Sequence, residues 1–156
     1  DVVSFGGTKN GLMGVEGVIL FDPQKAWEFE LRRKRAAHLF SKHRYLSAQM
    51  LAYLENDLWI ELASKANKAA SVLIEGLRDI EKVNFLVEPK ANLIFVTMPA
   101  YMHRKAFEKG LEYYTWSEID GVSDDTPVVS RFVVDWSRSL SDIGKFLEIM
   151  RNAAKK

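Results

Sequence analysis

The sequence predicts an α/β fold. Three observations predict it: short apolar stretches of strand character near both ends of the chain, amphipathic runs at helical spacing between them, and Asp, Gly and Pro residues at the joins. The expected order is β-β-α-α-α followed by β-β-α-β-β-α, with no internal repeat and no low-complexity linker. Residues 1–56 read as the edge of a larger α/β body. Residues 57–156 read as a small α/β domain, with an antiparallel or mixed sheet covered by helices on one face.

Val2-Val3 and Gly17 to Phe21 read as short buried strands on either side of a Ser/Gly/Thr loop. Asp22-Pro23 starts a helix, Asp as the cap and Pro as the first helical residue. Trp27, Leu31 and Phe29 supply its apolar side, and Arg32-Arg33-Lys34-Arg35 suits its negative end. A further helix covers His43 to Asn56, and Asp57 caps a long one from Leu58 to about Asp79. Along that helix Leu58, Leu62, Ala66, Ala69, Ala70, Leu73 and Leu77 recur at helical spacing. Val83, Phe85 and Val87 alternate as a strand, and Asn92 to Met98 is a second. Ala100 to Gly110 is helical with Gly110 as its stop, and Glu112 to Ile119 and Val128 to Trp136 are strands. Ser141-Asp142 begins a last helix, whose basic end runs from Arg151 to Lys156.

At 156 residues, 28% charged and with a net charge of +1, the chain is globular and generates no long-range field for nucleic acid or an anionic membrane. It contains no cysteine, which excludes disulfides and thiolate metal sites. No apolar run approaches the roughly 18–20 residues of a membrane span, and a cytoplasmic setting is expected. The chain opens on a strand-like segment without an initiator methionine, so it is expected to be the C-terminal portion of a longer protein.

Two cations stand apart. Lys9 lies in Ser4-Phe5-Gly6-Gly7-Thr8-Lys9-Asn10-Gly11, among residues small enough for a planar ligand to approach the backbone. An amine kept neutral by burial is a good nucleophile and can hold a carbonyl compound as an imine; the alternative reading is a surface loop lysine near a tight turn. Arg131 interrupts the apolar run Val128 to Trp136. Its planar fork suits a carboxylate, either that of a ligand or that of a local acid such as Glu118 or Asp135. The stretch Arg32 to Arg44 packs six cations and two histidines into thirteen residues. It admits three readings: a solvated helix end, a nucleic-acid patch, or a segment from which Lys42 or Arg44 reaches a neighbouring subunit. His38, His43 and His103 lack metal-ligand spacing and are assigned no catalytic role. The four tryptophans read as core.

The loop Ser4 to Gly11 resembles the cofactor-lysine loop of the pyridoxal-phosphate-dependent threonine aldolases, of the low-specificity or phenylserine type. That family belongs with the aromatic amino acid β-eliminating lyases. Two further stretches carry the resemblance: Arg33 to Arg44, similar to the segment after the lysine strand, and Arg131-Phe132-Val133-Val134-Asp135-Trp136, similar to the family's late arginine-bearing strand. It spans essentially the whole chain. It implies the aspartate aminotransferase-like fold, fold type I, with residues 1–56 the C-terminal edge of the large cofactor domain and 57–156 the small C-terminal domain.

The resemblance further implies pyridoxal 5'-phosphate as cofactor. Lys9 is then its covalent anchor, and Thr8 (with Ser4) is within reach of its phosphate. Arg44 becomes a cofactor-site residue at a subunit interface, and Arg131 the residue that takes the substrate's α-carboxylate. The expected partner is a small amino acid, with neither nucleic acid nor membrane, in a homodimer or homotetramer of the full-length protein. The expected reaction is cleavage of a β-hydroxy-α-amino acid, threonine or phenylserine in type, to glycine and an aldehyde. The isolated 156 residues are expected to be inactive because the family's other cofactor contacts lie upstream. A β-eliminating lyase of the same superfamily and a stand-alone interaction module remain the alternatives.

Overall fold

The computed structural model describes residues 1–155, so Lys156 of the basic tail lies outside the described residues. The chain divides into two compact units, Asp1–Ala63 and Ser64–Lys156, and the boundary falls inside a continuous helix.

In the first unit, strands β1 (Val2–Gly6) and β2 (Glu16–Leu20) pair antiparallel, with Val2 opposite Leu20 and Gly6 opposite Glu16. Their apolar side chains Val2, Val3, Val18 and Ile19 are exposed, which corrects the expectation of buried strands. Two isolated strands have one bonded edge each and can bury little surface by themselves. Asp22 caps a short turn by accepting from the Gln24 amide at 3.0 Å, and Pro23 opens that turn, as the sequence requires. Helix α1 (Ala26–Arg35) follows, laced on its outer face by Glu28–Arg32 and Glu30–Arg33 pairs. Its intended apolar residues Trp27 and Leu31 remain exposed. Helix α2 (Arg44–Leu54) contributes the buried Tyr53. Asn56 and Asp57 both take left-handed backbone angles before helix α3 (Leu58–Arg78) begins.

The second unit holds the core. Strands β3 (Asn84–Phe85), β4 (Leu93–Pro99), β5 (Tyr114–Thr115) and β6 (Pro127–Val133) form an antiparallel sheet of order β3-β4-β6-β5. The strand expected over Glu112 to Ile119 is thus far shorter, because the chain on either side of Tyr114–Thr115 leaves the ladder to enter the core or a loop. Alternation in β4 and β6 points Ile94, Val96, Met98, Val128, Ser130 and Phe132 to one face. That face packs against Leu73 and Leu77 of α3, Met102 and Ala106 of helix α4 (Ala100–Glu108), and Ile143, Leu147 and Met150 of helix α5 (Leu140–Ala154). Helices on one face is the expected architecture. Ser139, not Ser141, caps α5, through a reciprocal box with Asp142. At Gly76 of α3 a Cβ would lie 2.2 Å from a methyl of Leu147, so only glycine allows these helices to approach this closely.

The open face of the sheet stays apolar, with Leu93, Tyr114, Trp116 and Val133 exposed. The tryptophans are not core: Trp27, Trp116 and Trp136 are exposed and Trp59 is half-buried.

Candidate functional site

The turn that carries Lys9 is built by backbone bonds. The amides of Asn10 and Leu12 both donate to the Gly7 carbonyl, at 3.0 and 3.1 Å, and wind Thr8–Asn10 into a single 3-10 turn. Gly11 closes it at φ 114°, a conformation that disfavours a side chain. Gly7 is buried, and a Cβ there would meet Leu12 at 2.3 Å. The glycines of the motif therefore serve the tightness of the turn.

Asn10 fastens this turn to the helices. Its side-chain amide donates to the Tyr53 hydroxyl at 2.5 Å and to the Trp59 carbonyl at 3.1 Å. Phe5 of β1 packs on the same two residues, its ring centroid 6.1 Å from Tyr53 and 5.6 Å from Trp59. Thr8 is held from the other strand. Its hydroxyl and its amide both donate to one Glu16 oxygen, at 2.5 and 3.3 Å. These bonds hold the Glu16 carboxyl below the usual carboxylate range.

Lys9 itself is exposed and makes no hydrogen bond or ion pair among the described residues. The burial invoked to keep its amine neutral is thus not supplied here. What the turn does supply is a fixed backbone under an exposed primary amine whose charge also acts on the Glu16 carboxylate; a primary amine is the group that a carbonyl compound requires. Thr8 sits beside it in the same turn with its hydroxyl engaged by Glu16.

Arg44 opens α2 in the same unit, exposed, its guanidinium 4.9 Å from the ring of Tyr45. The neighbouring His43 keeps a buried Nδ1 without a partner, its ring 5.4 Å from Phe40.

Arg131 lies in the second unit, on β6, where its neighbours Ser130 and Phe132 turn inward and it turns to the open face. No acid pairs with it among the described residues: Asp135 instead faces Arg138 and accepts from Ser137. Its guanidinium stands 5.0 Å from the ring of Tyr114, its cross-strand neighbour. A cavity of about 600 Å³ borders Arg131, with Arg138 and Lys145 also on its wall against two acids, Glu112 and Asp142. That volume suits a small ligand, and the excess of positive charge suits a carboxylate.

His103 has a structural place. It is fully buried on α4, one ring nitrogen 3.3 Å from the Val128 carbonyl and the other 3.1 Å from the Tyr113 hydroxyl. A carbonyl only accepts, so Nε2 carries the proton and Nδ1 accepts from Tyr113. Burial pushes the His103 pKa down and that of Tyr113 up.

Sequence reasoning identified Lys9 as a lone lysine in a small, polar loop between two strands and Arg131 as a cation inside an apolar run. It missed Asn10 as an anchor, Glu16 as the partner of Thr8, and Tyr114 as the neighbour of Arg131. Each of these depends on a contact between distant segments. The alternation of residues around Glu16 carried a weak signal, since antiparallel pairing of the two strands places it opposite Gly6.

No family model matches the chain. Over 152 residues, 97% of its length, it is 31% identical to a low-specificity L-threonine aldolase of Pseudomonas aeruginosa. Over 136 residues, 87% of its length, it is 34% identical to a low-specificity L-threonine aldolase of another Pseudomonas strain. The chain spans only 41% and 37% of these curated relatives. A threonine aldolase structure from Leishmania major superposes on 99% of it with a TM-score of 0.87, at 21% identity and covering 43% of that chain. The fold is that of the fold type I enzymes, as the resemblance implied.

Proposed function

We propose, from the premise that this chain is the C-terminal portion of a threonine-aldolase-type enzyme, that the whole protein cleaves β-hydroxy-α-amino acids of the threonine or phenylserine kind to glycine and an aldehyde. One observation carries this: nearly the whole chain matches two low-specificity L-threonine aldolases at 31–34% identity. The cofactor is pyridoxal phosphate, and the residues present suit it: an exposed primary amine on a braced turn, and Arg131, unpaired with any acid among the described residues, on a wall where three cations face two acids. When bound, pyridoxal phosphate supplies an electron sink for breaking a bond at the substrate's α-carbon.

The chain's own residues divide the remaining work. Lys9 Nζ would hold the cofactor, and its amine would serve to carry a proton at the substrate's α-carbon. Arg131 grips the α-carboxylate through two parallel N–H donors, which fixes which bond at the α-carbon is presented for cleavage. Thr8 contributes its hydroxyl to the phosphate if Glu16 yields it. Arg44 serves the cofactor site of a homodimer or homotetramer. The protein works in the cytoplasm; no helix among the described residues is long and apolar enough to cross a membrane. The 156 residues alone lack enough of the pocket to turn over.

Borohydride treatment of the full-length protein loaded with pyridoxal phosphate tests this. Mass spectrometry should find the reduced cofactor on the peptide containing Lys9, and Lys9→Ala should abolish both that adduct and glycine formation from threonine. Undiminished adduct and turnover in Lys9→Ala would overturn the assignment. Elimination products in place of glycine would move the protein to the β-eliminating lyases.

A further inference from the structure

We propose that Tyr114 is the positioning residue for Arg131, a rigid platform that aims the guanidinium while leaving its donors free for a carboxylate. The inference rests on Arg131 being the carboxylate-binding residue.

Arg131 is held in an unusual way. It sits on β6, an inner strand of the sheet, flanked across the ladder by Phe95 of β4 and Tyr114 of β5. Both neighbours are aromatic. An arginine so placed is ordinarily steered by an acid, and an acid would occupy the N–H fork that a substrate carboxylate needs. A ring attracts the guanidinium through its face and consumes no N–H donor. The 5.0 Å separation from the Tyr114 ring lies within that range. The platform can therefore orient without competing.

The platform is itself braced from both sides, although β5 is only two residues long. On one side Tyr113 enters the core: its ring meets Phe107 at 4.7 Å and Phe132 at 5.0 Å, and its hydroxyl bonds His103 at 3.1 Å. On the other, the Trp116 amide donates to the Val129 carbonyl at 3.0 Å, and the Trp116 ring lies 5.5 Å from Phe95. Alternation then leaves Tyr114 no choice but the open face beside Arg131. The contact with Arg131 is made by the face of the Tyr114 ring.

The test uses the full-length protein with bound pyridoxal phosphate, and glycine and glycinamide as paired probes. Glycinamide lacks the carboxylate, so the ratio of its Kd to that of glycine, measured by equilibrium dialysis, reads carboxylate recognition separately from general integrity of the site. Arg131→Ala should collapse that ratio. Tyr114→Leu should lower it about three- to five-fold, in keeping with the modest strength of an exposed cation–ring contact. It should raise the KM for threonine by a similar factor, with kcat and cofactor content little changed. Tyr114→Phe should keep the parental ratio. A Tyr114→Leu ratio equal to the parent's, with the Arg131→Ala ratio collapsed, overturns the positioning role alone. An unchanged ratio in Arg131→Ala overturns the carboxylate assignment beneath it. Equal weakening of both probes in Tyr114→Leu also counts against positioning, since that is the mark of a general structural role. Should Tyr114→Leu fail to fold, Tyr114→His and Tyr114→Met, which vary ring character at similar size, give the same comparison.

Discussion

Asn10 donates its side-chain amide to the hydroxyl of Tyr53, forty-three positions later in the chain. The same amide reaches the Trp59 carbonyl, so one side chain joins the Lys9 turn to α2 and to the first turn of α3. A 3-10 turn of three residues has little stability of its own. Its orientation is therefore set by Asn10 together with the bonds from Thr8 to Glu16.

Asn10→Ala should lower the stability of the intact protein by about 1–2 kcal/mol, since it removes two partly buried hydrogen bonds, to the Tyr53 hydroxyl and the Trp59 carbonyl. Asn10→Asp should do no better, because a carboxylate cannot donate to a carbonyl. Urea denaturation with and without pyridoxal phosphate checks this, and Asn10→Ala should also reduce the fraction of cofactor that borohydride traps on Lys9.

The His103–Tyr113 pair should impose an acid limit on the fold. Burial lowers the folded-state pKa of His103 below its ordinary value of 6.5, so the unfolded chain binds the proton more readily. The stabilising neutral form is fully present above that value, and stability falls as pH drops below it. Urea midpoints measured on either side of pH 6.5 should show this decline in the parent and lose most of it in His103→Asn. Tyr113→Phe should cost about 1–2 kcal/mol at neutral pH, because it leaves the buried His103 Nδ1 without its donor.

Gly76 should resist replacement. An added methyl gains up to about 1 kcal/mol of helix propensity, but overpacking a dense core costs about 1–3 kcal/mol. The Leu147 methyl at 2.2 Å and its Cγ at 3.0 Å decide the sign, so Gly76→Ala should be destabilising. The double variant Gly76→Ala, Leu147→Val should recover part of the loss. A thermal-denaturation cycle over the four proteins measures that coupling.

Several elements were legible because their signals are local. The α3 pattern from Ala66 to Leu77 follows from helical spacing, and those residues are buried as expected. Asp22 caps and Pro23 initiates through contacts within two residues. The alternation of β4 needs no partner to be seen. The motif around Lys9 was likewise legible, since a tight turn demands glycine wherever it occurs. Legibility failed where a residue's role depends on a distant segment. The apolar strands β1 and β2 are exposed in this chain, because strand character specifies a face to bury but not what covers it. The tryptophans read as core, yet Trp27 on α1 and Trp116 and Trp136 in the segments after β5 and β6 are exposed.

The sequence by itself determined the order of the elements, the buried stripe of α3 from Ala66 to Leu77, the position of the lysine turn and the isolation of Arg131 in an apolar strand. Each follows from interactions within a few residues, where backbone geometry leaves few choices. Only the tertiary structure decided that Asn10 fixes the turn, that Glu16 engages Thr8, and that an aromatic ring rather than an acid stands beside Arg131. Those pairings join segments from eight to forty-nine residues apart. Strand register and helix packing select them, and no local propensity encodes either.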